Sequence, residues 1–263
     1  MPEIQTKPDF NAWLERWDAQ QTGYLPDREA RFEAMLGVLE AMIQEGLLEE
    51  SFVALDLCCG PGAITKRLLA RFPRARSVGV DFDPVTLAIA KGALGEMNGR
   101  AKWLDADITQ PGWLEATGEH RFDVVLSTTA LHWLRPGVLA QLYRDLGRIV
   151  REGGAVMNGD NMDFDPHMPT FNRLAKRIDE SHQARAWANG VQDWETWWQA
   201  ITLEPEFAAL LIERERRFPK SAATHDMTSF SFQVAALRDA GFREVGAIWQ
   251  GISPDNRVLL AIR

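Results

Sequence analysis

Three aspartates stand at or just past the ends of short apolar runs: Asp56 in "ALDLCCGPGAITKRLL", Asp81 in "VGVDFDP" and Asp107 in "LDADIT". A carboxylate placed like Asp81, with Phe82 beside it, can accept both hydroxyls of a ribose. One placed like Asp107 can accept from an adenine amino group, with Ile108 against the ring. Within the first run, Gly60 and Gly62 let the backbone turn tightly and approach a ligand closely. The helix that follows aims free N–H groups and a partial positive charge at the same spot, which suits a carboxylate or phosphate. Taken singly, each feature has a plainer reading: a strand–helix turn, a helix cap at Asp81 (a role open to Asp83), a solvated loop acid at Asp107. Taken together they describe a nucleoside site.

The same run holds both cysteines of the chain, Cys58 and Cys59. Neighbouring residues have Cα atoms about 3.8 Å apart, closer than a disulfide prefers, and no histidine or further cysteine is there to complete a metal site. Cys58 is therefore read as a small residue whose φ any residue can adopt, and Cys59 as an apolar filler.

These loops need strands before them and helices after, and the sequence pattern supplies both. "FVALDL", "SVGVD", "AKWLDAD", "FDVVLST" and "GGAVMNG" read as five buried strands, and "AITKRLLARF", "PVTLAIAKGAL" and "GVLAQLYRDLGRIV" as helices among them. Strand alternating with helix implies a mainly parallel sheet covered on both faces. Ligands of such a sheet bind beyond the carboxyl ends of its strands. Ahead of the sheet, Phe10, Trp13, Leu14 and Trp17 mark a helix over 9–20. "TGYLPD" breaks it, and Pro26 or Asp27 starts a second helix with a buried stripe of Phe32, Met35, Leu36, Leu39 and Ile43. After residue 162 the alternation stops, and 163–218 reads as helices only. "SFQVAALRDAGF" is then a helix, and "REVGAIWQG" with "RVLLAIR" an antiparallel pair that ends the sheet.

Composition narrows the partners. A net charge of -8 over 263 residues repels a phosphate backbone, which argues against nucleic acid. No run reaches the roughly 18 apolar residues of a membrane span. The N-terminus, "MPEIQTKPDF", lacks the basic start and apolar core of a secretory signal, and two cysteines make no disulfide framework. A protein of the reducing cytoplasm is expected.

With these motifs in place, the chain resembles the class I S-adenosylmethionine-dependent methyltransferase family, over about residues 52–160 and again over 226–263. "ALDLCCGPG" resembles its first motif, with Asp56 as the acid, Gly60 and Gly62 as the second and third glycines, and Cys58 where the first glycine is usual. "VGVDFDP" and "DADI" resemble its ribose and adenine motifs. The resemblance implies an α/β, Rossmann-like fold with a seven-stranded, mainly parallel sheet of order 3-2-1-4-5-7-6, the last strand antiparallel, with helices on both faces. It implies S-adenosyl-L-methionine as cofactor and S-adenosyl-L-homocysteine as product. Cofactor contacts are expected from Asp56, Gly60, Gly62, Asp81, Phe82, Asp107, Ile108, Ser127 and Thr128. Residues 1–50 would cover the cofactor site, 51–162 form the core, 163–218 a helical lid, and 219–263 the rest of the core. One rival is a nicotinamide-dependent oxidoreductase, but "GPGAIT" does not complete G-x-G-x-x-G at Thr65, and such a domain does not normally end in this hairpin. The other is a non-catalytic, cofactor-binding regulator on the same fold.

The family places acceptor groups after the fourth strand, in the lead helices and in insertions. "STTALHWL" lacks the Asn/Asp-Pro-Pro-Tyr/Phe pattern of enzymes acting on nucleic-acid bases or glutamine amides, so a small-molecule acceptor is expected, methylated on oxygen, nitrogen or carbon. His132 is the candidate general base, against a histidine that bonds locally. Trp133 packs on the cofactor or acceptor, or else in the core. Tyr24 would close over the methyl centre, as a tyrosine does in similar small-molecule enzymes. Arg28, with Arg31 as the alternative, would pair with the cofactor carboxylate, against a plain surface charge. "NGDNMDFD" resembles the metal site of the catechol-type enzymes at Asp160 and Asn161. Those enzymes also use an aspartate after the fourth strand, where this chain has Ser127 and Thr128, so no metal is expected. Asn158 and Asp160 are assigned to the acceptor wall instead. Trp197 and Trp198, with Trp187 and Trp194, either wall an apolar acceptor or bury the insertion's own core. His167 and His182 are lesser candidates.

Overall fold

The computed structural model describes residues 8–218 and 228–263. The reading of the first seven residues, and the expected passage from insertion back to core just after residue 218, lie outside them. Seven strands form one sheet in the order β3-β2-β1-β4-β5-β7-β6. They are β1 (Val53–Leu57), β2 (Arg76–Asp81), β3 (Ala101–Asp105), β4 (Phe122–Thr128), β5 (Val150–Asn161), β6 (Glu244–Gln250) and β7 (Asn256–Ile262). The first five are parallel, and β7 runs antiparallel to both β5 and β6. The order and the antiparallel end are those expected. The helices are α1 (Phe10–Tyr24), α2 (Arg28–Gln44), α3 (Ala63–Arg71), α4 (Pro84–Leu94), α5 (Trp113–Ala116), α6 (Pro136–Ile149), α7 (Pro169–Ala188), α8 (Trp194–Ile201), α9 (Ala208–Arg217) and α10 (Phe230–Asp239).

The central strands are apolar on both faces because both faces are covered. On one side, Phe32, Met35, Leu36 and Leu39 of α2 and Leu68 of α3 pack on Ala54, Val124 and Met157. On the other, Leu139, Leu142, Tyr143 and Leu146 of α6 and Leu237 of α10 pack on Leu55, Leu57 and Val125. A third cluster joins the lead helix to the insertion: Trp13 and Leu14 of α1, Val85 and Ile89 of α4, and Trp197 and Ile201 of α8.

Three details depart from the sequence reading. α1 runs on to Tyr24, so the break shrinks to Leu25, Pro26 and Asp27. Leu25 is held extended (φ -127, ψ 91) by the proline after it. Gly23 is tolerated inside the helix because Trp187 occupies its side: a Cβ there would lie 2.5 Å from that ring. β5 is longer than "GGAVMNG" at both ends: Val150 pairs with Phe122 of β4, and β7 pairs with the strand as far as Asn161. The four residues of α5 and a 3-10 turn, Leu131–Trp133, are too short to show a period.

Candidate active site

The glycine loop leaves β1 through three left-handed residues: Cys58 (φ 55), Gly60 (φ 52) and Gly62 (φ 85). The expectation that Cys58 takes an ordinary φ is therefore wrong. A non-glycine residue there costs about 1–2 kcal/mol. The loop pins it in place: the Cys59 N–H donates to Val80 O at 3.0 Å and the Gly62 N–H to Cys59 O at 2.9 Å. Cys59 is buried, as expected of a filler. The two glycines serve different needs. A Cβ on Gly62 would strike Trp103 at 2.6 Å, so Gly62 makes room for a side chain. A Cβ on Gly60 would meet nothing nearer than Trp17 at 4.0 Å, so its outer side is open.

Asp81 ties the loop to the next turn. Its carboxylate accepts the Gly60 N–H at 2.6 Å and the Asp83 N–H at 2.7 Å. Burial pushes its pKa up to about 6 against the pull of those amides. Asp107 accepts from the N–H and hydroxyl of Thr109 through one oxygen, at 2.8 and 2.7 Å. Ile108 packs beside it on the second core cluster. Phe82 carries the guanidinium of Arg217 at 5.0 Å and the ring of Phe218 at 5.4 Å.

Other residues expected at the cofactor are spent inside the protein. Asp56 is buried beneath the loop, where it accepts from Thr65 Oγ1 at 2.7 Å, with Ser77 Oγ 3.0 Å further on. Burial raises its pKa to about 7. It fastens α3 to β1 and has no open side. Ser127 donates to Leu57 O at 3.0 Å and so stitches β4 to β1, while Thr128 ends the strand half-buried. Arg28 is buried and paired with Asp18 of α1 at 2.8 Å.

At the ends of β4 and β5 a different group assembles. His132 Nδ1 lies 2.7 Å from Asp160 Oδ1, and the His132 N–H donates to Asp160 Oδ2 at 3.0 Å. Asp160 also accepts the Asn161 N–H at 2.9 Å and is fully buried. It is therefore the partner of the histidine and not an exposed wall. Burial raises the Asp160 carboxyl, but His132 and Arg31 outweigh it and hold it below its ordinary value. Burial likewise lowers the His132 imidazole, yet the charge and hydrogen bond of Asp160 prevail, so the ring protonates above its ordinary value. Arg31 moderates that rise. It is fully buried, donates to Thr129 Oγ1 at 2.5 Å and to Asn256 Oδ1 at 3.1 Å, and lies against Gly159. Thr129 sits at φ 56, held by its N–H on Gly159 O at 2.9 Å. Neither Thr129 nor Asn256 had a signal in the sequence, since each takes its meaning from Arg31.

Three more expectations change. Tyr24 accepts the Trp194 N–H at 3.0 Å, its ring 4.9 Å from Trp187, so its hydroxyl caps α8 and is not free to close over a methyl centre. Asn158 is fully buried and donates to Gln233, which also accepts from Tyr143; it faces α6 and α10, away from any acceptor wall. Trp197 is fully buried, 5.5 Å from Trp13 and 5.0 Å from Trp17, and Trp198 packs on it at 4.9 Å. They pack the insertion onto α1 and α4, so they form neither an acceptor wall nor a core belonging to the insertion alone. Trp133 does stay at the rim, 57% exposed and 5.0 Å from the His132 ring.

Residues 54–154 match the family described as a methyltransferase domain. A trans-aconitate 2-methyltransferase of Azoarcus sp. (strain BH72) is 32% identical over 140 residues, 53% of this chain and 49% of the relative. A malonyl-[acyl-carrier protein] O-methyltransferase of Legionella pneumophila is 33% identical over 105 residues, 39% of this chain and 34% of the relative. The chain thus spans about half, or less, of the length of these curated relatives. The solved magnesium protoporphyrin IX methyltransferase of Synechocystis PCC 6803, with bound S-adenosylhomocysteine, shares the fold with a TM-score of 0.56 at 14% identity, over 97% of this chain and 96% of that one. Among the described residues no helix is long and apolar enough to cross a membrane.

Proposed function

We propose that this chain, whose residues 54–154 match a methyltransferase domain, is a class I S-adenosylmethionine-dependent methyltransferase that transfers the cofactor's methyl group to a small-molecule acceptor met by His132. The residues present fit the cofactor. Gly60 keeps an open cradle, and the half-buried Asp81 carboxylate, raised to about 6, gains from the hydroxyl donors of a ribose. Phe82 and Ile108 would lie along the adenine, with Asp107 toward its amino group. S-adenosylmethionine, when bound, supplies a methyl group activated on a sulfonium. The protein's part is to fix the acceptor in line with it and exclude water, since orientation supplies most of such accelerations.

The observation that carries the reading is the His132–Asp160 pair at 2.7 Å. Asp160 holds the ring by Nδ1 and leaves Nε2 to face an acceptor. A neutral ring takes the proton of a hydroxyl or amine acceptor. A second reading follows from the raised protonation of His132: as an imidazolium it binds a carboxylate acceptor, which needs no base. Relatives named for trans-aconitate and for a malonyl group, both carriers of carboxylates, support that class. The pH profile separates the two. A base makes the rate rise with pH through the pKa of His132; an imidazolium that holds a carboxylate makes it fall. Calorimetry with S-adenosylhomocysteine tests the foundation: no binding sinks the methyltransferase reading, and binding of NADH in its place selects the oxidoreductase. Binding with no turnover on any acceptor favours the regulator.

A further inference from the structure

The insertion ends on the cofactor side of the sheet. Arg214 Nε of α9 bonds Asp83 Oδ2 at 2.6 Å. Arg217 grips Asp105 with two nitrogens, at 2.5 and 3.0 Å, and donates to Phe82 O at 2.9 Å. Its guanidinium lies over the Phe82 ring, and Phe218 packs on the same ring at 5.4 Å. Asp83 is shared: its other oxygen caps α4 through Val85 N–H at 3.0 Å. Arg214 also stacks on Trp198 at 3.7 Å, which passes the attachment back to α8. These contacts bracket Asp81 and Phe82, the ribose and adenine positions.

We propose that Arg214 and Arg217 form a clamp that fastens the insertion over the adenosine end of the site and retains the cofactor. The inference rests on the cofactor reading above and deepens it: the segment expected to cover the acceptor also governs cofactor exchange. Both arginines act through Phe82 and the rim acids, so they are positioning residues. Bidentate arginine–carboxylate pairs are geometrically specific, but partly exposed pairs are individually weak. A clamp of this kind opens readily and is loosened by salt, whose screening length falls from about 8 Å at 0.15 M to about 3 Å at 1 M.

The test is stopped-flow dissociation of S-adenosylhomocysteine, followed by tryptophan fluorescence, with folding checked by circular dichroism. Arg217→Gln speeds dissociation about three- to fivefold, and R214Q/R217Q about tenfold or more, on the scale of such pairs. Arg217→Lys restores part of the difference, because it keeps the charge and loses the fork. The wild-type rate climbs with salt and the double variant's does not. Arg177→Gln, the same charge change on the outer face of α7, leaves the rate unaltered. Folded Arg217→Gln releasing ligand at the wild-type rate overturns the clamp alone. A wild type that binds no S-adenosylhomocysteine overturns the cofactor reading and the clamp with it.

Discussion

At the ends of β1 and β2, Asp81 gathers the amides of Gly60 and Asp83, 21 and 2 positions away in the chain. At the ends of β4 and β5, Asp160 gathers His132, 28 positions away, beside an Arg31 that reaches Asn256 across 225. The half-buried Asp81 is served by backbone amides, whereas the buried Asp160 adds to its backbone amides the His132 ring from the turn after β4 and the charge of Arg31 from α2. They also titrate in opposite directions. Among the described residues no cation pairs with Asp81, which burial pushes up to about 6; Asp160 has His132 and Arg31 and is held down. The half proposed for the cofactor is thus built on backbone amides and backbone conformation. The acceptor half is a side-chain device in which each member depends on the others.

That contrast can be broken at several points. Removing the imidazole by His132→Ala should cost about 10²–10⁴-fold in kcat if the ring is the base, with S-adenosylhomocysteine affinity within about twofold of wild type. An equal loss in both would mean that the two halves are not separable. Asp160→Ala strands a buried arginine and histidine, and should cost about 3–5 kcal/mol in urea unfolding. Asp107→Asn, on a half-exposed turn, should cost under about 1 kcal/mol.

On the backbone side, Gly60→Val forces a β-branched residue to φ 52 and should weaken cofactor binding by about 100-fold or more, a fall of roughly 2.7 kcal/mol. Cys58→Gly should keep binding, because it relieves a φ of 55 while adding freedom to the unfolded chain; calorimetry on both variants decides it.

The pH dependence sharpens the opposition. If ribose hydroxyls donate to ionised Asp81 as proposed, cofactor affinity should drop about tenfold per pH unit below about 6. For stability the signs follow from the shifts. Asp81, raised above its unfolded value, contributes stability at low pH that is lost as pH rises through about 6. His132, also raised, contributes below its unfolded value and loses that as pH rises through its folded one. Asp160, lowered, contributes above its unfolded value and loses that on acidification through its folded one. Chemical denaturation with and without S-adenosylhomocysteine, from about pH 2 to about pH 8, covers the windows of all three groups and reads them against each other. An effect about as small as that of Asp107→Asn is expected at Tyr24→Phe, which removes the hydroxyl capping α8: about 0.5–1.5 kcal/mol in stability and little change in kcat.

Much of the cofactor half was legible in advance. The strand order and the glycine loop are where the motifs put them, and Asp81 and Phe82 stand at and just past the end of β2 as expected, their role toward the cofactor being part of the proposal. Cys58 was misjudged because its left-handed turn is imposed by bonds to β2 that no spacing reveals. Asp56, Ser127 and Asn158 carry the right chemistry, but each is used up by an internal partner: Thr65, Leu57 O and Gln233. His132 and Asp160 were both singled out, and only the structure made them a pair.

What the sequence determined by itself is whatever depends on neighbours along the chain: the apolar periods of strands and helices, the turns that glycine permits, and a carboxylate one strand beyond a glycine loop. Tertiary structure alone decided which polar groups remain available. A buried donor or acceptor left unpaired costs about 1–3 kcal/mol, so each takes whatever partner packing brings within reach. For Arg31 that partner came from 225 residues away, and for the insertion's last helix it was the rim of the cofactor site.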